Sequence, residues 1–200
     1  MLALFPLSQP LFPDAILSLR VFEPRYLSLI ETCQREDQPF GVVTLQKGYE
    51  VQVDGVEETL SQIGCLAHVA QVKTIESGLL AVFCVGGDRF RLLSGQRDAQ
   101  GLWHADVELL EQDIPTDIPP DLQPMADRLG ALIADSQRQG IEDRLPVTRP
   151  YRLDECGWVA NQWAHLVNLD VEKKLAVLEE DDPLTRLTMV KAWLERTDLS

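Results

Sequence analysis

The sequence predicts an α+β protein: an antiparallel β domain with one helix inserted near its start, followed by a domain of helices. Three observations carry this. From Phe40 to Glu111, short runs of β-branched and apolar residues alternate with turn residues and show no helical spacing. At Ile114 the composition shifts, and "IPTDIPPDLQP" holds four prolines and two aspartates. Beyond it, apolar residues recur at the spacing of amphipathic helices. The boundaries that follow are a β domain over 1–113, a proline-rich linker over 114–124 and a helical bundle over 125–200.

The first strand is read at Ala15–Phe22, where Leu17, Leu19 and Val21 alternate with Ser18, Arg20 and Phe22. The helix after it opens on Pro24, whose missing N–H costs nothing at that position. Glu23 precedes it and favours the positive helix start. Its apolar stripe is Tyr26, Leu27, Ile30 and Cys33. Strands are then expected at Phe40–Leu45 and Tyr49–Gly55, with a long one over Gln62–Ile75 that bends near Gly64. "ESG" turns into Leu79–Val85, "GGD" turns into Arg89–Gly95, and the last strand is Leu102–Glu111. Strands joined by turns alone form an antiparallel meander, which curls into a barrel or a sandwich.

Four helices follow. Leu122–Gln139 places Met125, Leu129, Leu132 and Ile133 on one side. Asp154 is placed to cap a helix carrying Val159, Trp163 and Leu166 on one face. Asp170 caps the next. Asp182 and Pro183 open the last, with Leu184, Leu187, Val190 and Leu194 facing inward. Trp158 and Trp163 read as core, since large aromatics serve burial, and His165 as a favourable cation near a helix end.

The formal net charge is −14, with acids and bases interspersed. That balance argues against non-specific nucleic-acid binding, which needs positive potential to neutralise phosphates. No apolar run reaches the about 18 residues that span a bilayer. The N-terminus lacks a basic leader and is broken by Pro6, Pro10 and Pro13, so no export signal is read. Cys33, Cys65, Cys84 and Cys156 form no Cys-x-x-Cys pair; they are expected as reduced, packed thiols in a cytoplasmic protein.

Catalytic motifs are missing. No Gly-Lys dipeptide completes a phosphate loop, and neither Gly-x-Ser-x-Gly nor His-Glu-x-x-His occurs. Cys65, His68, Cys84 and His104 hold zinc-ligand chemistry, but Cys65 and His68 are expected on opposite faces of one strand, so no metal or cofactor is expected. In "FEPRY" an acid and a base meet without a nucleophile. It reads as a structural corner: Glu23 starts a helix, Pro24 sets its direction, and Arg25 pairs with a carboxylate.

"LFPLSQPLFPDAILSLRVFEPRYLSLIETC" resembles the opening of the Lon protease N-terminal, substrate-binding domain family. "FGVV", "IGCLAHVAQV" and "GGDRFRLL" are similar to its next segments, and "LDVEKKLAVLEEDDPLTRLTMVKAWL" to its closing helices. The resemblance implies a PUA-like β pseudobarrel followed by a helical bundle. It implies a non-enzymatic protein- and peptide-binding module for unfolded or extended segments, a stand-alone form without the ATPase and protease domains, such as a quality-control adaptor. The matching residues Phe22, Glu23, Pro24, Arg25, Tyr26, Gly86, Arg89 and Phe90 read as structural, so no catalytic or contact residue is transferred. Exposed sheet edges and a cleft between lobes are the surfaces expected to bind. The rival readings are an RNA-binding PUA-like module and a small-ligand protein using that cleft.

Overall fold

The computed structural model describes residues 1–51, 55, 57–141 and 145–197. The chain forms two compact units, Met1–Glu111 and Gln112 onward.

The first unit is a six-stranded mixed sheet with one helix. In chain order it runs β1 (Leu2–Leu7), β2 (Ile16–Val21), α1 (Pro24–Glu36), β3 (Phe40–Lys47), β4 (Thr59–Glu76), β5 (Leu79–Arg97) and β6 (Trp103–Leu109). The strand order is β2-β5-β4-β3-β1-β6, and β6 pairs back onto β5. The pairings β5-β4-β3-β1-β6-β5 therefore close a ring, with β2 outside it. β5 makes the closure possible because its first half pairs with β2, its second half with β6, and β4 pairs with it from Leu79 to Arg91. Register shifts along β4–β5 and β5–β6 supply the local bends that closure needs.

Three expectations are corrected here. The sheet is mixed rather than wholly antiparallel, because β1 pairs parallel with β3, Leu4 opposite Gly41 through Leu7 opposite Thr44. A parallel pair needs a long crossover, and the β2–α1 passage provides it. β1 itself lies before Ala15, where the expected strands begin, and it contains Pro6. Its pairing with β6 ends at Leu4, so Pro6 sits where the strand has a neighbour on one side only and a missing N–H is tolerated.

Second, "GGD" is not a turn. Gly86, Gly87 and Asp88 lie inside β5. Gly86 is required for close approach, because a Cβ there would stand 2.0 Å from the Phe12 carbonyl oxygen. That crossing is stitched by Gly86 N–H donating to Ala15 O and Asp14 N–H to Gly86 O, both 2.9 Å. Third, Tyr49, Glu50 and Val51 belong to no strand, and Gly55 lies in a turn; 52–54 of the expected Tyr49–Gly55 strand lie outside the described residues.

The ring is filled by Leu4, Val43, Leu66, Phe90 and Ala105, with Leu2, Leu60, Leu92, Trp103 and Val107 packed around them. Phe90 fits because Gly64 faces it: a Cβ on Gly64 would meet the Phe90 ring at 2.4 Å. The stripe of α1 is Arg25, Tyr26, Leu29, Ile30 and Cys33. Leu29 takes the place expected of Leu27, which is only half-buried.

The second unit holds α2 (Gln123–Arg138), α3 (Cys156–Leu166), α4 (Val171–Glu179) and α5 (Pro183–Thr197). α3 contacts the other three helices and is buried on nearly every side, with Trp158, Val159, Ala160 and Ala164 in the core. Leu132 and Leu184 lie off the buried stripes, 37% and 39% exposed, because each sits at the margin of its helix's apolar arc. The cap of α3 is Glu155 rather than Asp154, and its side chain makes no capping bond. Asp170 precedes α4 but also makes no capping bond; its carboxylate pairs with Lys173 at 2.9 Å. Asp182 does cap α5, accepting from Thr185 N–H at 2.8 Å.

Candidate functional site: a clamped corner and two open sheet edges

At the start of α1, the expected corner closes around Arg25, which is buried. Its Nη2 pairs with Glu23 Oε2 at 3.1 Å and its Nη1 donates to Gly101 O at 2.8 Å. The guanidinium lies 4.4 Å from the Tyr26 ring centroid, and Tyr26 stacks on Phe5 at 3.9 Å. Burial pushes the Tyr26 hydroxyl up to about 12. Arg25 thus ties the helix start to the turn between β5 and β6. That turn is built by Asp98, whose Oδ1 accepts from Gln100 N–H and Leu102 N–H at 2.9 Å and whose Oδ2 lies 3.0 Å from His104 Nε2. Partial desolvation pushes the Asp98 carboxyl up, but the bonds from His104, Leu102 and Gln100 outweigh it and hold it below the usual carboxylate range.

Between corner and turn lies a cavity of about 630 Å³, lined by Glu23, Arg25, Ser28 and Asp98 among others. Its lining includes no histidine, lysine or cysteine to activate the Ser28 hydroxyl. The arrangement can hold a polar group; it offers no nucleophile–base pair.

The other motif residues serve separate contacts. Gly86 receives the 12–15 crossing, Phe90 fills the ring, and Arg89 is buried with its carbonyl accepting from Leu110 N–H at 2.9 Å. Phe22 joins neither group and is 53% exposed. The zinc-type residues do not converge. Cys65 is fully buried, its thiol donating to Gly87 O at 3.3 Å, whereas His68 is exposed and His104 faces Asp98. Among the described residues no group of three or more His, Cys, Asp or Glu is placed to hold a metal.

Two sheet edges are open. Among the described strands, β2 pairs with β5 alone. β3 leaves β4 at Ala67, so β4 beyond Val69 pairs only with β5. Past the ring, the sheet continues as a three-stranded antiparallel projection, β2–β5–β4. The bond from Gly86 N–H to Ala15 O sets the ladder phase on β2. Antiparallel alternation then turns the N–H and C=O of Ser18 and Arg20 away from β5.

In the second unit, sequence reading missed Arg186, which is wholly buried. It grips both carboxylate oxygens of Asp113, at 2.7 and 3.0 Å, and donates to Glu180 O at 2.7 Å. Nothing local in "DPLTRL" distinguishes it from a surface arginine. Trp158 is buried, and Trp163 donates to Met125 O at 3.0 Å.

A mixed sheet closed through a long central strand, with four helices after it and an arginine-clamped first helix, is an α+β architecture without an assembled catalytic centre among the described residues. The family described as the ATP-dependent protease La (LON) substrate-binding domain matches residues 1–196, and the chain belongs to that family. It is 26% identical over 175 residues to Lon protease 1 of Bdellovibrio bacteriovorus, a match covering 84% of this chain and 21% of that protein. It is 25% identical over 191 residues to Lon protease 2 of Myxococcus xanthus, covering 92% and 22%. The chain therefore spans about a fifth of the length of these relatives. A solved Lon N-terminal domain protein from Xanthomonas campestris superposes with a TM-score of 0.74 at 29% identity, covering 96% of this chain and 97% of that one. The N-terminal domain of Mycobacterium avium complex Lon protease shares the fold, with a TM-score of 0.62 at 16% identity, covering 96% of each. No helix among the described residues is long and apolar enough to cross a membrane.

Proposed function

We propose that this chain is a non-catalytic recognition module for unfolded or extended polypeptide segments, serving as an adaptor in protein quality control. Family membership in a substrate-binding domain supports the class of ligand. The observation that carries the mode is the pair of open edges on β2 and the outer half of β4. An extended segment gains main-chain hydrogen bonds by adding to such an edge, without requiring one sequence. The ring of pairings supports reading the first unit as a PUA-like pseudobarrel, and the contacts of α3 support a bundle in the second.

Titration of fluorescently labelled unstructured peptides tests this. Binding tighter than about millimolar, near −4 kcal/mol, is expected; none at that level would count decisively against the reading. Ser18→Pro distinguishes the mode. It removes an N–H directed away from β5 while sparing the β2–β5 ladder bonds, so peptide affinity is expected to fall while the thermal midpoint stays within a few degrees.

A further inference from the structure

We infer that the solvent face of the β2–β5–β4 projection is a docking surface for acidic extended polypeptide, held between two cationic rims. The inference rests on the polypeptide-recognition reading above and names its substrate class. Cross-strand partners in a sheet share a face, and the register brings residues distant in sequence into rows. Arg20, Ala81 and Lys73 form one row, and Ser18, Phe83 and Gln71 the next. Ile16, Val85 and His68 form a third. The opposite face holds Leu19, Val82 and Cys84, all buried, so these rows face solvent. Arg20, Ser18, Lys73, Gln71 and His68 are exposed, while Ala81, Phe83 and Val85 are half-buried down the middle. Lys73 Nζ lies 5.6 Å from the Phe83 ring centroid, which places the ammonium over the apolar strip.

Charge identifies the occupant. The whole chain carries −14, yet these rows hold Arg20 and Lys73 and no carboxylate. Within Ile16–Val21, His68–Glu76 and Leu79–Val85 the one acid is Glu76, at the hairpin tip. A locally positive strip on a strongly negative molecule selects acidic segments and repels basic ones. The apolar strip between the rims takes alternate side chains of an extended chain, and the open edges beside it take its backbone.

The test is fluorescence anisotropy with an unstructured Glu/Gly/Ser/Leu peptide and a counterpart carrying Lys at each Glu, at low and at raised salt. The acidic peptide is expected to bind about tenfold more tightly at low salt, with the preference shrinking as salt rises. Arg20→Glu with Lys73→Glu is expected to abolish or invert that preference without moving the thermal midpoint, since both side chains are exposed. Should that double variant unfold, Arg20→Gln with Lys73→Gln is expected to abolish the preference instead. Equal binding of the two peptides, or an unchanged preference in a folded double variant, overturns the inference and leaves polypeptide recognition standing. Failure of both peptides, together with a neutral Gly/Ser/Leu control, removes the recognition reading and this inference with it. A single-stranded RNA that binds more tightly than the acidic peptide and is lost in the same variant overturns the assignment in favour of nucleic acid.

Discussion

At Gly86 one methyl group decides whether two segments can cross. A Cβ would sit 2.0 Å from the Phe12 carbonyl oxygen, a backbone atom that cannot swing aside. Gly86→Ala is therefore expected to destabilise the protein by about 1–3 kcal/mol in urea unfolding, the cost of overpacking. Arg186 is the reverse case, a charge with its partners supplied: removing it takes the guanidinium from Asp113 and donors from Glu180 O. Arg186→Met is expected to cost about 3 kcal/mol, at the low end for a broken buried pair because Asp113 keeps some solvent access. The double variant with Asp113→Asn should recover part of that loss. Asp98 and Asp182 both have carboxyls held below the usual range, Asp182 by the hydroxyl and N–H of Thr185. A depressed carboxylate binds fewer protons folded than unfolded. Its stabilisation is full above about pH 4 and is lost as pH falls through the folded value. Asp98→Asn and Asp182→Asn should each lose less thermal stability than the parent between neutral pH and acid, as read by melting scans across pH.

Among the elements, β5 carries the most. It pairs with three strands and has neighbours on both sides at Leu80–Val85 and at Phe90 and Arg91, whereas β2 has one neighbour. Hydrogen exchange should find the amides of Val82–Leu92 among the slowest, and those of Ser18 and Arg20 fast. Slow exchange at Ser18 and Arg20 would mean that their edge is already occupied. The elements were unevenly legible. β2 and α1 announce themselves by alternation and by Pro24, because their patterns are local. β5 did not, since "GGD" carries the residues of a turn. Only the approach of Phe12 reveals that the glycines serve a crossing rather than a reversal. β1, which contains Pro6, is a similar case: whether a proline breaks a strand depends on how many neighbours that strand has.

For the whole molecule, all four cysteines are free and buried. Burial raises every one of these thiols, Cys84 to about 12. Thiolate is the reactive form, so a thiol reagent at neutral pH should leave the folded protein essentially unlabelled and modify four sites after denaturation. Rapid labelling of the native protein would show that one of them is reached by solvent.

By itself the sequence determined the α+β class, the order of most elements, the acidic balance and the family resemblance, because each is written in local spacing or in composition. Tertiary structure alone decided the parallel β1–β3 pair, the closure of the ring through β5, the grip of Arg186 on Asp113 and the row that sets Arg20 and Lys73 on either side of Ala81 across β2, β5 and β4. Each depends on register between segments far apart in the chain, and register is set by which surfaces pack together, a quantity that no short stretch of residues contains.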